Sequence, residues 1–171
     1  LDDVELNLTA STIKLNNGYD AFSLNNDRDT LSDQPGSDIQ DSELLSAKIT
    51  VSRFKHFTFD TLLGYGDSQT KYSYDEDWVY DGFHPWGYSS TDQYNRDRST
   101  GSTEFRFTSS EEGRILFDTT DWVFGFYYLG QEESLERTYT FLTQDFISKY
   151  DTKRLAIYGE TDTQLNNKWN L

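Results

Sequence analysis

The side chains best equipped for chemistry gather in residues 72–94, which hold Asp75, Glu76, Asp77, Trp78, Asp81, His84, Trp86 and Tyr88. Carried on an exposed connection, such groups clasp a ligand by ring stacking and charge recognition. Asp75, Asp77, Trp78, His84 and Trp86 are the expected contacts. The alternative is a solvated loop whose aromatics pack on one another. Asp75-x-Asp77 followed by Asp81-Gly82 offers the hard oxygens that Ca²⁺ takes. The spacing departs from an EF-hand loop, which needs Gly at its sixth position. No metal and no cofactor is assigned on this basis.

Other chemistries find little purchase. His56 and His84 are the only imidazoles, and His56 sits beside Lys55 in a short turn. With no Cys there is neither a thiol nucleophile nor a disulfide framework. No G-x-S-x-G elbow is present. Adjacent acids such as Glu132-Glu133 are expected by composition in a chain with 30 Asp plus Glu, so no catalytic residue is assigned and an enzyme is not expected. The formal charge of −15 and pI near 4.3 disfavour a nucleic-acid partner, whose recognition rests on a basic patch.

The elements that must position these groups are strands. Val4, Leu6, Leu8 and Ala10 alternate with Glu5, Asn7 and Thr9, the period-2 pattern of a half-buried strand. The pattern recurs at Leu45, Ala47, Ile49 and Val51, and again at Phe57, Phe59, Thr61, Leu63 and Tyr65. It returns at Thr103, Phe105 and Phe107, at Trp122, Phe124, Phe126 and Tyr128, and at Leu155 and Ile157. Six strands are expected near 3–14, 42–53, 57–67, 98–109, 121–131 and 151–164. The connections alternate: long at 16–41, short at Arg53-Phe54-Lys55-His56, long at 67–97, moderate at 109–121, long and acidic at 130–150, and tight at Asn166-Asn167-Lys168. Most of the acids are expected in the three long connections.

The predicted fold class is therefore all-β, an antiparallel up-and-down meander whose loops are unequal at its two ends, as in outer-membrane barrels. In such a barrel the apolar face meets lipid, the polar face lines a wet lumen and aromatics gather at the headgroups. Glu5, Lys48, Asp60, Glu104 and Arg106 fall on the polar faces, with Glu104 and Arg106 expected to pair with neighbouring strands. A secreted acidic β-sandwich that binds carbohydrate through exposed Trp and Asp is the alternative, and it requires a two-sheet core.

The run Ser102-Thr103-Glu104-Phe105-Arg106-Phe107-Thr108-Ser109, an acidic Gly turn, and Asp121-Trp122-Val123-Phe124-Gly125-Phe126-Tyr127-Tyr128 together resemble the barrel of TonB-dependent receptors. In that family a strand of the form E-hydrophobic-R-hydrophobic is followed by a short turn and W-V-x-G-hydrophobic-Y. Residues 150–160 resemble the next such strand, 165–171 the turn after it, and 72–78 the start of an extracellular loop. The resemblance covers nearly the whole chain. It implies that Phe105, Phe107, Trp122, Phe124 and Phe126 face lipid in the outer membrane of a Gram-negative bacterium. It further implies uptake of a scarce solute such as a siderophore, cobalamin or glycan, driven through a TonB-type partner. The family's signal peptide, TonB box and plug have no counterpart here, and barrels start at about 8 strands. Residues 1–171 are accordingly read as one partial domain from the middle of a larger transmembrane barrel.

Overall fold

A computed structural model describes residues 3–18, 22–34, 36–166 and 169–171. Seven strands follow in chain order: β1 (Val4–Asn16), β2 (Ser37–Val51), β3 (Phe57–Asp75), β4 (Thr91–Ser109), β5 (Thr120–Tyr139), β6 (Phe146–Asn166) and β7 (Trp169–Asn170). They form one antiparallel sheet in which every strand pairs only with its neighbours in sequence. The up-and-down meander expected from the alternation is the fold. A seventh strand begins at Trp169 as the sequence indicated, while Asn167 and Lys168 of the tight turn before it lie outside the described residues.

The register explains why the pattern repeats. Leu6 stands opposite Ile49, Ile49 opposite Thr61, Thr61 opposite Phe105, Phe105 opposite Phe126 and Phe126 opposite Ile157. Two residues along each strand, the row is Leu8, Ala47, Leu63, Thr103, Tyr128 and Leu155. Because side chains alternate between faces, all these residues lie on one face, and Phe107, Trp122 and Phe124 join them. Along β3 this apolar stretch runs nine residues from Phe57 to Tyr65. At about 3.4 Å per residue it is roughly 27 Å long, or about 21 Å high at a tilt of about 40°. At its lower end the Trp122 indole donates to the Gly113 carbonyl (2.9 Å), and Phe54 stacks on Phe57 with centroids 4.8 Å apart. Tyr65 and Tyr128 mark the upper end.

The other face is polar and cross-linked. Asp60 accepts from Thr50 (2.6 Å) and pairs with Lys48 (3.4 Å). Arg106 bridges Glu104 of its own strand (2.6 Å) and Tyr158, two strands away (3.1 Å), and the Tyr158 hydroxyl also donates to Glu104. Glu104 and Arg106 thus engage each other and β6 rather than an adjacent strand. Tyr158 stands directly opposite Gly125, and a Cβ there would collide with the phenol ring. Glycine makes the seat for the tyrosine.

Two expectations need correction. The strands overrun their expected bounds at the end of the long connections, so residues 130–150 are mostly strand and only 140–145 connect β5 to β6. The other upper connections shorten to 17–36 and 76–90, against 52–56 and 110–119 below. Many acids assigned to loops therefore sit in paired strands: Asp38 and Asp41 in β2, Asp92 and Asp97 in β4, and Glu132, Glu133 and Glu136 in β5. Backbone pairing needs no apolar side chain, and above the apolar stretch both faces are polar, so alternation vanishes while the ladder continues. The second correction concerns the core. Among the described residues Val79 is the only buried hydrophobic side chain, and they form one sheet with no second sheet against it. Among the described residues no second sheet supplies the two-sheet core that the sandwich alternative requires.

Candidate functional site

Ser42, Asp60 and Thr120 are buried within the sheet, and the other buried side chains gather where the upper connections fold over the strand ends. β3 stops at Asp75, after which the Glu76 amide still bonds the Ser90 carbonyl (2.9 Å). Trp78 then takes a left-handed backbone, φ 62°, and the connection closes by two tight turns. In the first, Phe83 N–H donates to Tyr80 C=O (3.0 Å) with Gly82 at φ 86°, a conformation that suits glycine. In the second, Gly87 N–H donates to His84 C=O (3.0 Å). Pro85 sits at the position where proline's fixed φ favours a turn, and Trp86 is left at the tip.

Residues 22–34 dock on this base. Ser32 Oγ and the Asp33 amide both donate to Asp75 Oδ2 (2.5 and 3.2 Å). Asp81 N–H donates to Asp33 Oδ2 (2.7 Å), and Gln34 Nε2 to Ser89 Oγ (2.6 Å). Phe22 stacks on Trp78, centroids 5.1 Å apart. On the other side a chain of ring contacts runs Tyr80, Phe83, His84, Tyr88, Phe141 and Tyr139, with centroid spacings of 5.3–5.7 Å. Arg137 closes it, lying over Tyr139 and Tyr94 and pairing with buried Asp92 (2.6 Å). Three connections are tied into one cap.

The five expected contacts therefore separate. Asp75 is 1% exposed and Asp77 9%. Trp78 is half-buried under Phe22, and His84 is half-buried between Phe83 and Tyr88. Trp86 is 88% exposed, beside a shallow depression of about 510 Å³ lined by His84, Gly87, Tyr88, Ser89 and Phe141. Of the five, Trp86 alone offers its whole ring to solvent. Phe22, Asp92, Arg137 and Phe141 belong to the cap and were not singled out in the sequence. Arg137 meets Asp92 across 45 positions, and only the β4–β5 register reveals it. His56 donates from its ring to the Glu112 carbonyl (2.8 Å) and holds two lower connections together.

The cap's electrostatics centre on carboxyls well above the apolar stretch. Burial first, then the hydrogen bond and charge of Asp75, push the Asp77 carboxyl up to about 6. Burial alone would also raise Asp75, but hydrogen bonds from Asp77, Ser32 and the Asp33 and Gln34 amides outweigh it and hold it low. Burial likewise opposes the ionised form of Asp92, and Arg137, Tyr94 and Tyr74 overcome that and lower it. No three His, Asp or Glu side chains converge as a metal site among the described residues. No family model, curated protein or solved structure matches this chain.

Proposed function

We propose that this chain is a stretch of wall from an outer-membrane β-barrel of the TonB-dependent receptor kind, whose parent takes up a scarce solute such as a siderophore, cobalamin or glycan. One observation carries the reading: a single sheet with a continuous apolar face that none of the described residues covers. Leu8 is 72% exposed and Leu155 77%. The total accessible area is 12485 Å², against roughly 8,700 Å² for a compact monomer of this mass. The apolar stretch approaches the band of about 25 Å seen on membrane barrels, and aromatics mark both its ends. Hydrogen bonding within the sheet satisfies the backbone between its edges, as hydrocarbon demands. No described helix is long and apolar enough to cross a membrane, which bears on helices alone.

The cap would then face outward with Trp86 as a stacking surface for solute, and the polar face would line the lumen. Energy would come from a TonB-type partner acting outside these residues. The test uses the full-length chain that carries this segment, labelled with a fluorophore at Phe105→Cys or, separately, at Glu104→Cys, in vesicles containing brominated lipid. Quenching at position 105 and little at 104 is the expected result. A full-length chain that is monodisperse without detergent, or labels quenched equally, sinks the membrane reading.

A further inference from the structure

Trp86 is a large ring that the cap holds up rather than covers. It is 88% exposed, at a turn closed by the Gly87 N–H bond to His84 C=O (3.0 Å). The depression of about 510 Å³ beside it falls within the roughly 300–1,000 Å³ of sites that hold small ligands. Its other wall comes from a different connection. Thr140 N–H donates to Thr91 C=O (3.1 Å) and Thr91 N–H to Thr140 Oγ1 (2.8 Å). That clasp sets Phe141, 56% exposed, against Tyr88 with ring centroids 5.5 Å apart. Tyr88 is anchored in turn by its hydroxyl, which donates to Glu76. The walls are therefore fixed before any ligand arrives, which lowers the ordering cost of binding. Two polar groups share the depression. Ser89 Oγ accepts from Gln34, which leaves its own proton to donate. The His84 ring has edge contacts with Phe83 and Tyr88, and no described residue hydrogen-bonds its nitrogens. No Lys, Arg, Asp or Glu lines the depression.

We propose that Trp86, with Phe141, Ser89 and His84 around it, binds a neutral oligosaccharide, one sugar ring lying flat on the indole. A pyranose has a face of C–H groups and a rim of hydroxyls. The C–H face suits the negative face of an aromatic ring, and the hydroxyls suit Ser89 and His84. Charge narrows the choice. In a chain of net charge −15, a carboxylated or phosphorylated ligand finds no Lys or Arg in the depression to offset its desolvation. A quaternary ammonium ion is drawn to ring faces but has no hydrogen bond to exchange with Ser89 or His84. As a statement of which solute is taken up, the inference rests on the outward-facing cap proposed above; the binding itself needs only the cap.

The experiment titrates the full-length chain, solubilised in a detergent without a sugar headgroup, with neutral tetraoses of the gluco, manno, galacto and xylo series while calorimetry records binding. At least one series binds with a dissociation constant of about 1 mM or tighter. Trp86→Ala, at a position too exposed to disturb the fold, weakens that binding at least about tenfold. Trp86→Phe keeps most of it, and Phe141→Ala weakens it about two- to tenfold. Trp169→Phe, which alters the 68% exposed indole at the lower end of the sheet, leaves it unchanged. The proposal is overturned if no series binds up to about 10 mM, if Trp86→Ala binds as well as the parent, or if Trp169→Phe loses binding. It is equally overturned if tetramethylammonium or an oligogalacturonate binds more tightly than every neutral sugar. Lipid quenching at position 105 without sugar binding removes this ligand and leaves the barrel. Sugar binding by a chain that is monodisperse without detergent keeps the ligand and removes the barrel.

Discussion

At Asp77 a single proton decides whether the cap is comfortable. Its carboxyl is held near 6, against the ordinary 3.8, by burial and by Asp75 beside it. Between those values the folded chain keeps a proton that the unfolded chain has released, so stability falls as pH rises. Opening of residues 22–34 should therefore become more frequent from about pH 4 through 6 and level off above. Asp92 acts in the opposite sense. Its carboxyl is held low, so its contribution is present above the ordinary carboxylate range and lost as pH falls through it. Hydrogen exchange of residues 30–34 across pH 4 to 8 measures the first effect, and Asp77→Asn should flatten it. A pH response unchanged in that variant would place the titration elsewhere. None of this was readable along the chain: Asp75-x-Asp77 announced acids on a loop, and only the docking of Ser32 and Asp33 buried them.

Strands show where sequence signals succeed and fail. From Phe57 to Tyr65 one face is apolar and the other polar, so the period-2 pattern is written directly in the residues. From Gly66 to Asp75 both faces carry polar groups, the pattern disappears and the strand goes on regardless, held by pairing to residues 91–100. The sequence thus marks the part of each strand that contrasts two environments rather than the strand itself. The same holds for the Gly125 seat. Gly125 reads as an ordinary weak point in a strand until Tyr158 is placed across from it. Gly125→Val should drive the phenol off Arg106 and Glu104 and cost about 1–3 kcal/mol of stability, seen as a lower urea midpoint for the detergent-solubilised full-length chain. Gly101, where an added Cβ meets open space, is the control: Gly101→Ala should leave the midpoint nearly unchanged. Equal losses at both sites would mean that the seat has no special role.

Over the whole molecule the distribution of burial is inverted. Among the described residues the buried groups are mostly polar and most sit in the cap, while the apolar face of the sheet stays exposed. If that outward face meets lipid, Phe126→Arg should cost about 2–4 kcal/mol by placing charge near the middle of the bilayer. Tyr127→Arg, one residue along and facing the lumen opposite Glu104, should cost much less. Folding yields of the full-length chain into vesicles compare the two. A Tyr127→Arg defect as large as that of Phe126→Arg would count against a two-sided wall.

The sequence alone determined the all-β class, the order of the strands, the shared apolar face and the seventh strand's start, because alternation is a local record of which face meets oil and which meets water. It pointed to residues 72–94 as the place of interest for the same reason, since rings and carboxylates cannot be hidden in composition. The tertiary structure decided the rest: how far strands overrun, that one sheet stands without a second, which rings are buried and that Trp86 is not. It also set two acids face to face. The cap depends on pairs separated by 40 or more positions, such as Ser32 with Asp75 and Asp92 with Arg137, and such pairs leave no mark on either local stretch.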